Sequence, residues 1–108
     1  IDDGGFFFLE WDLFDASNRL VSCADAGSTA VETTATVTNG TDALTDTFDC
    51  TDHYGVTDPL PAGSYTVAIE ALAAGMVHVG GADTQVNRQI KAPGGYTDLG
   101  LVKIHLDQ

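Results

Sequence analysis

Basic residues are scarce in this sequence. It has four, Arg19, Arg88, Lys91 and Lys103, against sixteen Asp and Glu, so the formal net charge at pH 7 is −12. Nucleic acids and anionic lipid surfaces are bound through clustered lysines and arginines. The composition therefore disfavours both classes of partner, and a solvated acidic surface is the simplest interpretation of the charge.

Long apolar runs are also missing. A membrane-spanning helix needs about 20 consecutive apolar residues, whereas the run Phe6 to Leu9 is already broken at Glu10. We therefore expect no membrane insertion. Hydrophobic residues still make up 44% of the 108 residues, which favours one folded domain over a disordered chain. We assign residues 6–108 to this domain and residues 1–5 to a flexible leader.

Cysteine occurs only twice, at Cys23 and Cys50. Neither belongs to a C-x-x-C pair, and no histidine stands at zinc-finger spacing from them. We predict one disulfide bond between the two, with a pair of buried thiols as the alternative. A disulfide persists in oxidising surroundings, so we expect an extracellular or cell-surface location, or else the periplasm.

Helix signals are nearly absent, while Thr, Val, Gly and aromatic residues dominate and turn residues recur about every ten positions. This pattern predicts an all-β protein, an antiparallel β-sandwich of seven or eight strands. Asn39-Gly40 is a strong hairpin signal, and Asn39-Gly40-Thr41 also matches an N-glycosylation acceptor. The clearest predicted strands cover residues 6–15, 31–38, 43–50, 64–72 and 99–106.

The first predicted strand is apolar on both faces. Its alternation places Phe7, Leu9, Trp11 and Leu13 on one side and Phe6, Phe8 and Phe14 on the other. A strand of this kind needs cover on both sides. We therefore predict that the segment Phe6, Phe7, Phe8 and Leu9 joins a contact with a protein partner, which can be a second copy, by adding to an open sheet edge.

The stretch Leu60-Pro61-Ala62-Gly63-Ser64-Tyr65-Thr66-Val67 resembles the L-P-x-G-x-Y-x-V signature of carboxypeptidase-regulatory-like and Cna-B-type domains. The resemblance implies a transthyretin-like sandwich in a secreted bacterial protein, with an immunoglobulin-like sandwich as the alternative. It also implies an accessory, adhesive or structural role without catalysis. The isopeptide bond of some Cna-B domains is not carried over, because the early strands contain no Lys.

Residue patterns for chemistry are weak. No G-x-S-x-G motif or recognisable triad is present, so we predict no enzyme, no catalytic residue, no metal and no cofactor. A calcium ion near Asp49, Asp52 and Asp58 is the alternative, although the spacing is not that of an EF-hand. We expect His53, His78 and His105 to face solvent and Trp11 to lie in the core. Tyr54 and Tyr96, expected in loops, are the candidates for an exposed contact surface.

Three functions remain open at this point. The first is an extracellular structural or adhesive module, as a subunit of a cell-surface assembly or filament that uses its apolar first strand. The second is an accessory module that binds carbohydrate or another ligand. The third is a periplasmic or lipid-anchored domain with an unknown partner.

Overall fold

The computed structural model describes residues 5–38, 40–61, 63–90 and 96–107. These residues form nine strands, a one-turn helix α1 and a 3₁₀ turn, which confirms the all-β class. The prediction of seven or eight strands missed one very short strand, β5, in a segment that was expected to be a loop. The elements are β1 (Phe6–Phe14), β2 (Leu20–Val21), α1 (Cys23–Ala26), β3 (Ala30–Val37), β4 (Ala43–Asp49), the 3₁₀ turn (Cys50–Asp52), β5 (Tyr54–Val56), β6 (Gly63–Ala73), β7 (Val77–Gly81), β8 (Gln85–Ile90) and β9 (Tyr96–Leu106).

The strands form one mixed sheet in the order β2-β1-β9-β7-β6-β3-β4, with β5 paired to β1 and β8 paired to β6. Most neighbours are antiparallel, but β1 and β9 run parallel, from Phe6 opposite Tyr96 to Phe14 opposite His105. The prediction of an antiparallel sheet therefore fails for this pair. Residue alternation is the same in both kinds of sheet, so it carries no information about strand direction.

The core lies on the inner face of this curled sheet. Phe7, Leu9, Trp11 and Leu13 are all fully buried, as their alternation predicts. Side chains from strands that are not neighbours meet across the core: the Phe7 ring lies 5.9 Å from the Tyr65 ring, and the Trp11 ring lies 5.8 Å from the Phe48 ring. These contacts mean that the two ends of the sheet curve towards each other around the core.

Local turn chemistry follows the sequence closely. Helix α1 begins where the Ser22 side chain accepts a hydrogen bond from the Asp25 N–H, and it ends at Gly27, which has a φ of 71°. These are the usual start and stop signals of a helix. The hairpin between β3 and β4 closes with a 2.9 Å bond from the Val37 N–H to the Asp42 carbonyl oxygen. Asn39 itself lies outside the described residues, and so does its predicted glycosylation.

Gly5, the last residue of the predicted leader, pairs with Leu60. Each of the two residues donates a 2.8 Å backbone hydrogen bond to the other. The rest of the predicted leader, residues 1–4, lies outside the described residues, as does Ala62 of the L-P-x-G turn. In the described part of the chain, no helix is long and apolar enough to cross a membrane.

Candidate protein-binding face

The outer side of β5, β1 and β9 carries a continuous group of apolar side chains. Strand register places Phe6 beside Tyr96, and it places Phe8 between Val56 and Asp98. The next row is Tyr54, Glu10 and Leu101. We call the six apolar residues of these rows the aromatic face: Phe6, Phe8, Tyr54, Val56, Tyr96 and Leu101.

Phe8 lies at the centre of the aromatic face. Its ring centroid is 6.3 Å from those of both Tyr54 and Tyr96. Tyr96 is 72% exposed and Tyr54 is 55% exposed, with Leu101 and Val56 near half. Phe6, Phe8, Val56 and Tyr96 line a shallow hollow of about 220 Å³. These apolar side chains are therefore contiguous on the surface and not scattered singly.

Only part of the predicted contact segment is accessible. Phe7 and Leu9 are fully buried in the core, so they cannot meet a partner while the domain stays folded. Phe6 and Phe8 are half-buried on the outer side. The predicted contact therefore narrows to these two residues, which the fold joins to four neighbours that the sequence places far away. The predicted addition of this segment to an open sheet edge is wrong, because β1 is already paired with β5 on one edge and with β9 on the other.

The two tyrosines were predicted in loops, and this placement was wrong. Tyr54 begins β5 and Tyr96 begins β9. Their predicted exposure is confirmed. Sequence reasoning missed Val56 because β5 is too short to show an alternating pattern. Leu101 could have been found from the sequence. If Val102 and Ile104 face inward, strand alternation makes Leu101 face outward.

The two charged residues within the rows of the aromatic face, Glu10 and Asp98, are both negative. Glu10 is exposed between Tyr54 and Leu101, and the carboxylate of Asp98 accepts a 2.7 Å hydrogen bond from the Gly100 N–H. The nearest described cation on this side of the sheet, Lys103, lies further along β9, and its ammonium is 5.9 Å from the Phe14 ring centroid. The aromatic face therefore has an acidic border.

The predicted disulfide between Cys23 and Cys50 is present, with a Cα–Cα distance of 6.0 Å. It links the first residue of α1 to the first residue of the 3₁₀ turn. Both residues are buried against the core. Because structural disulfides form in oxidising compartments, the bond fits a non-cytoplasmic protein.

The three histidines occupy solvated positions, as predicted. Nδ1 of His53 lies 3.0 Å from the Trp11 carbonyl oxygen, and the His105 ring stacks 5.9 Å from the Phe14 ring. Among the described residues, no group of three or more His, Cys, Asp or Glu side chains is arranged to hold a metal ion. None of these contacts pairs a histidine with a nucleophile.

His78 bridges two carboxylates. Its Nδ1 lies 2.7 Å from an oxygen of Glu70 on β6, and its Nε2 lies 3.2 Å from an oxygen of Asp107, just after β9. The hydrogen bond to Glu70, together with the charge of Asp107, raises the pKa of His78 above its ordinary value. The arrangement joins both neighbours of β7, which otherwise pairs with β9 over only two residue pairs.

Comparison of the chain with family models, with curated proteins and with solved structures found no match. The resemblance of Leu60 to Val67 to carboxypeptidase-regulatory-like and Cna-B-type domains therefore stays a prediction.

Proposed function

We propose that this domain is an extracellular structural or adhesive module that binds a protein partner in a cell-surface assembly through its aromatic face. The observation that carries the proposal is the position of Phe8 between exposed Tyr54 and Tyr96, on a surface extended by Val56 and Leu101. Aromatic side chains are enriched in the centres of protein interfaces and dominate their energy. Exposed apolar side chains that are contiguous, rather than scattered singly, often mark such a contact.

The fold and the disulfide support the same proposal. We infer that the curled sheet is a two-layer sandwich of transthyretin-like or immunoglobulin-like type, an inference supported by the ring contacts of Phe7 with Tyr65 and of Trp11 with Phe48. Such sandwiches serve widely as modules of extracellular proteins. The bond between Cys23 and Cys50 favours the extracellular side or the cell surface, with the periplasm as the second location.

A carbohydrate-binding accessory module is the second candidate, because an exposed aromatic surface is what such a module needs. Sugar hydroxyls, however, require several polar groups that converge on the ligand. Among the described residues that line the hollow, Phe6, Phe8, Val56 and Tyr96, the Tyr96 hydroxyl is the only polar side-chain group. The surface therefore favours a protein contact. A glycan array in calcium and in chelator would show binding if the second candidate were correct.

The size of the native complex tests the proposal. In cells that produce the protein, mild extraction of the wild type should give a complex much larger than the 11.3 kDa domain. We expect the double variant Phe8→Thr/Tyr96→Thr to elute alone. Val86→Thr is the matched control, because Val86 is an apolar residue that is 62% exposed but lies on β8. All three proteins should unfold at similar temperatures.

Two results would overturn this proposal. One is a double variant that elutes with the same large complex as the wild type. The other is a control variant that loses the complex to the same extent. If the double variant folds poorly, Tyr96→Thr alone replaces it, since Tyr96 is 72% exposed and contributes little to the core.

A further inference from the structure

We propose that the partner of the aromatic face is a cationic amphipathic segment of a different protein, in which apolar side chains alternate with Lys or Arg. This inference rests on the proposed function and adds the chemistry of the partner. It comes from the positions of Glu10 and Asp98, which the strand register fixes among the apolar residues.

Each of the two carboxylates borders the apolar surface directly. Glu10 is the strand neighbour of both Tyr54 and Leu101, and Asp98 is the strand neighbour of Phe8. Any partner that covers the aromatic face also takes water away from these two carboxylates. A carboxylate that is buried in an interface without a cationic partner costs far more binding free energy than a carboxylate that stays exposed to water. A suitable partner must therefore bring cations to both positions.

A second copy of this chain meets the requirement poorly. Each copy carries a net charge of −12, so two copies repel over the whole approach. On the described part of this side of the sheet, Lys103 is the one Lys or Arg, and it lies opposite Asp12 and near the Phe14 ring. Arg19 is bound to Asp15 in the turn after β1, with an N–O distance of 3.5 Å.

The remaining described cation lies elsewhere. Arg88 is on β8, where its Nε donates a 2.7 Å hydrogen bond to Gln85. Face-to-face pairing of two copies would therefore bring Glu10 and Asp98 of one copy close to Glu10 and Asp98 of the other, with no described cation between them. A basic partner instead gains from the acidic field during its approach, so its association should be fast and sensitive to salt.

Three synthetic peptides of equal length test the chemistry of the partner. The first alternates Lys with Phe and Val, the second alternates Glu with Phe and Val, and the third alternates Lys with Ser. We expect the first to bind the purified wild-type chain at low salt and to shift the NMR signals of Tyr54 and Tyr96. The other two should bind about tenfold more weakly or worse, because each lacks one of the two contributions.

Variants that replace one carboxylate by its neutral amide test the contribution of each charge to peptide binding. Glu10→Gln should weaken binding of the Lys/Phe peptide about threefold to tenfold and reduce its salt dependence. Asp98→Asn should act in the same direction while keeping an acceptor for the Gly100 N–H. Asp25→Asn is the control, since Asp25 is exposed in α1. It changes the net charge equally without touching the aromatic face.

The inference is overturned if the Glu/Phe peptide binds as tightly as the Lys/Phe peptide, or if Glu10→Gln behaves like Asp25→Asn. It is also overturned if the purified chain dimerises in sedimentation experiments and Phe8→Thr abolishes the dimer, because the partner is then a second copy. These failures differ from a failure of the proposed function, in which Phe8→Thr/Tyr96→Thr leaves the native complex intact.

Discussion

The indole Nε1 of Trp11 donates a 3.0 Å hydrogen bond to the carbonyl oxygen of Cys50. Both residues are fully buried. The bond connects the middle of β1 to the disulfide and to the 3₁₀ turn that follows β4. It therefore holds the strand that carries Phe6 and Phe8 to the opposite end of the sheet, and the position of the aromatic face depends on it.

Replacement of Trp11 tests this connection. Trp11→Phe keeps an aromatic ring but removes the donor, which leaves the Cys50 carbonyl oxygen unpaired in the core. We expect the free energy of unfolding to fall by about 2–3 kcal/mol, from the lost bond and the smaller ring together. Urea unfolding followed by circular dichroism measures it, with Val86→Thr as the surface control. A loss no larger than that of the control would show that the bond contributes nothing.

Gly55→Ala tests the packing of β5 on the core. A Cβ atom at Gly55 would lie 2.6 Å from the Phe48 ring, so the ring or the strand must move. We expect a loss of about 2 kcal/mol in unfolding free energy, as in other overpacked sites. The double variant Gly55→Ala/Phe48→Leu should lose less than the sum of the two single variants, because the smaller side chain makes room. Strict additivity of the two losses would contradict the contact.

Thr33→Val should stabilise the domain. The Thr33 hydroxyl is buried and has no hydrogen-bond partner among the described residues. Burying a hydroxyl without a partner costs free energy, and valine has nearly the same shape. We expect a gain of about 1 kcal/mol in thermal or urea unfolding. The control is Thr34→Val, where the native hydroxyl lies 3.2 Å from that of Thr45, and it should show no gain.

The stability of the domain should depend on pH through His78. Because its folded pKa is raised above the ordinary value of 6.5 by Glu70 and Asp107, the protonated form is favoured by folding. Its contribution is therefore fully present below pH 6.5 and is lost as the pH rises through the raised folded pKa. The side chain is 48% exposed, so the effect is small and weakens with salt.

Unfolding curves of the wild type and His78→Gln, measured from pH 5.5 to pH 8.5, check this prediction. The glutamine variant removes the titrating group, so the stability difference between the two proteins should shrink as the pH rises. A difference that stays constant, or that grows with pH, would show that His78 does not bind its proton more tightly in the folded state.

Much of the inner architecture was predictable from the sequence. The alternation in β1 predicted the correct buried face, because one side of the strand packs on the core and the pleat enforces a period of two. The pair Cys23 and Cys50 was also correctly predicted, since no other partner exists for either cysteine. These features depend on local pattern or on simple counting.

The aromatic face was only partly predictable, because it is assembled by long-range pairing. Phe8 could be identified as an unusual outward phenylalanine, but nothing local indicates that Val56 and Asp98 flank it. The parallel pairing of β1 with β9 joins the first and last strands of the sequence. Strand alternation does not indicate which strand pairs with which. A three-residue strand such as β5 carries too little pattern to be distinguished from a loop.

The most direct measurement of the central claim is site-specific crosslinking in cells that produce the protein. A photoreactive phenylalanine analogue replaces Tyr96 on the aromatic face or, in a separate strain, Val86 on β8. We predict that irradiation gives a discrete adduct with another protein from position 96 and little or none from position 86. An adduct from position 86 together with none from position 96 would contradict the assignment of the aromatic face as the binding surface.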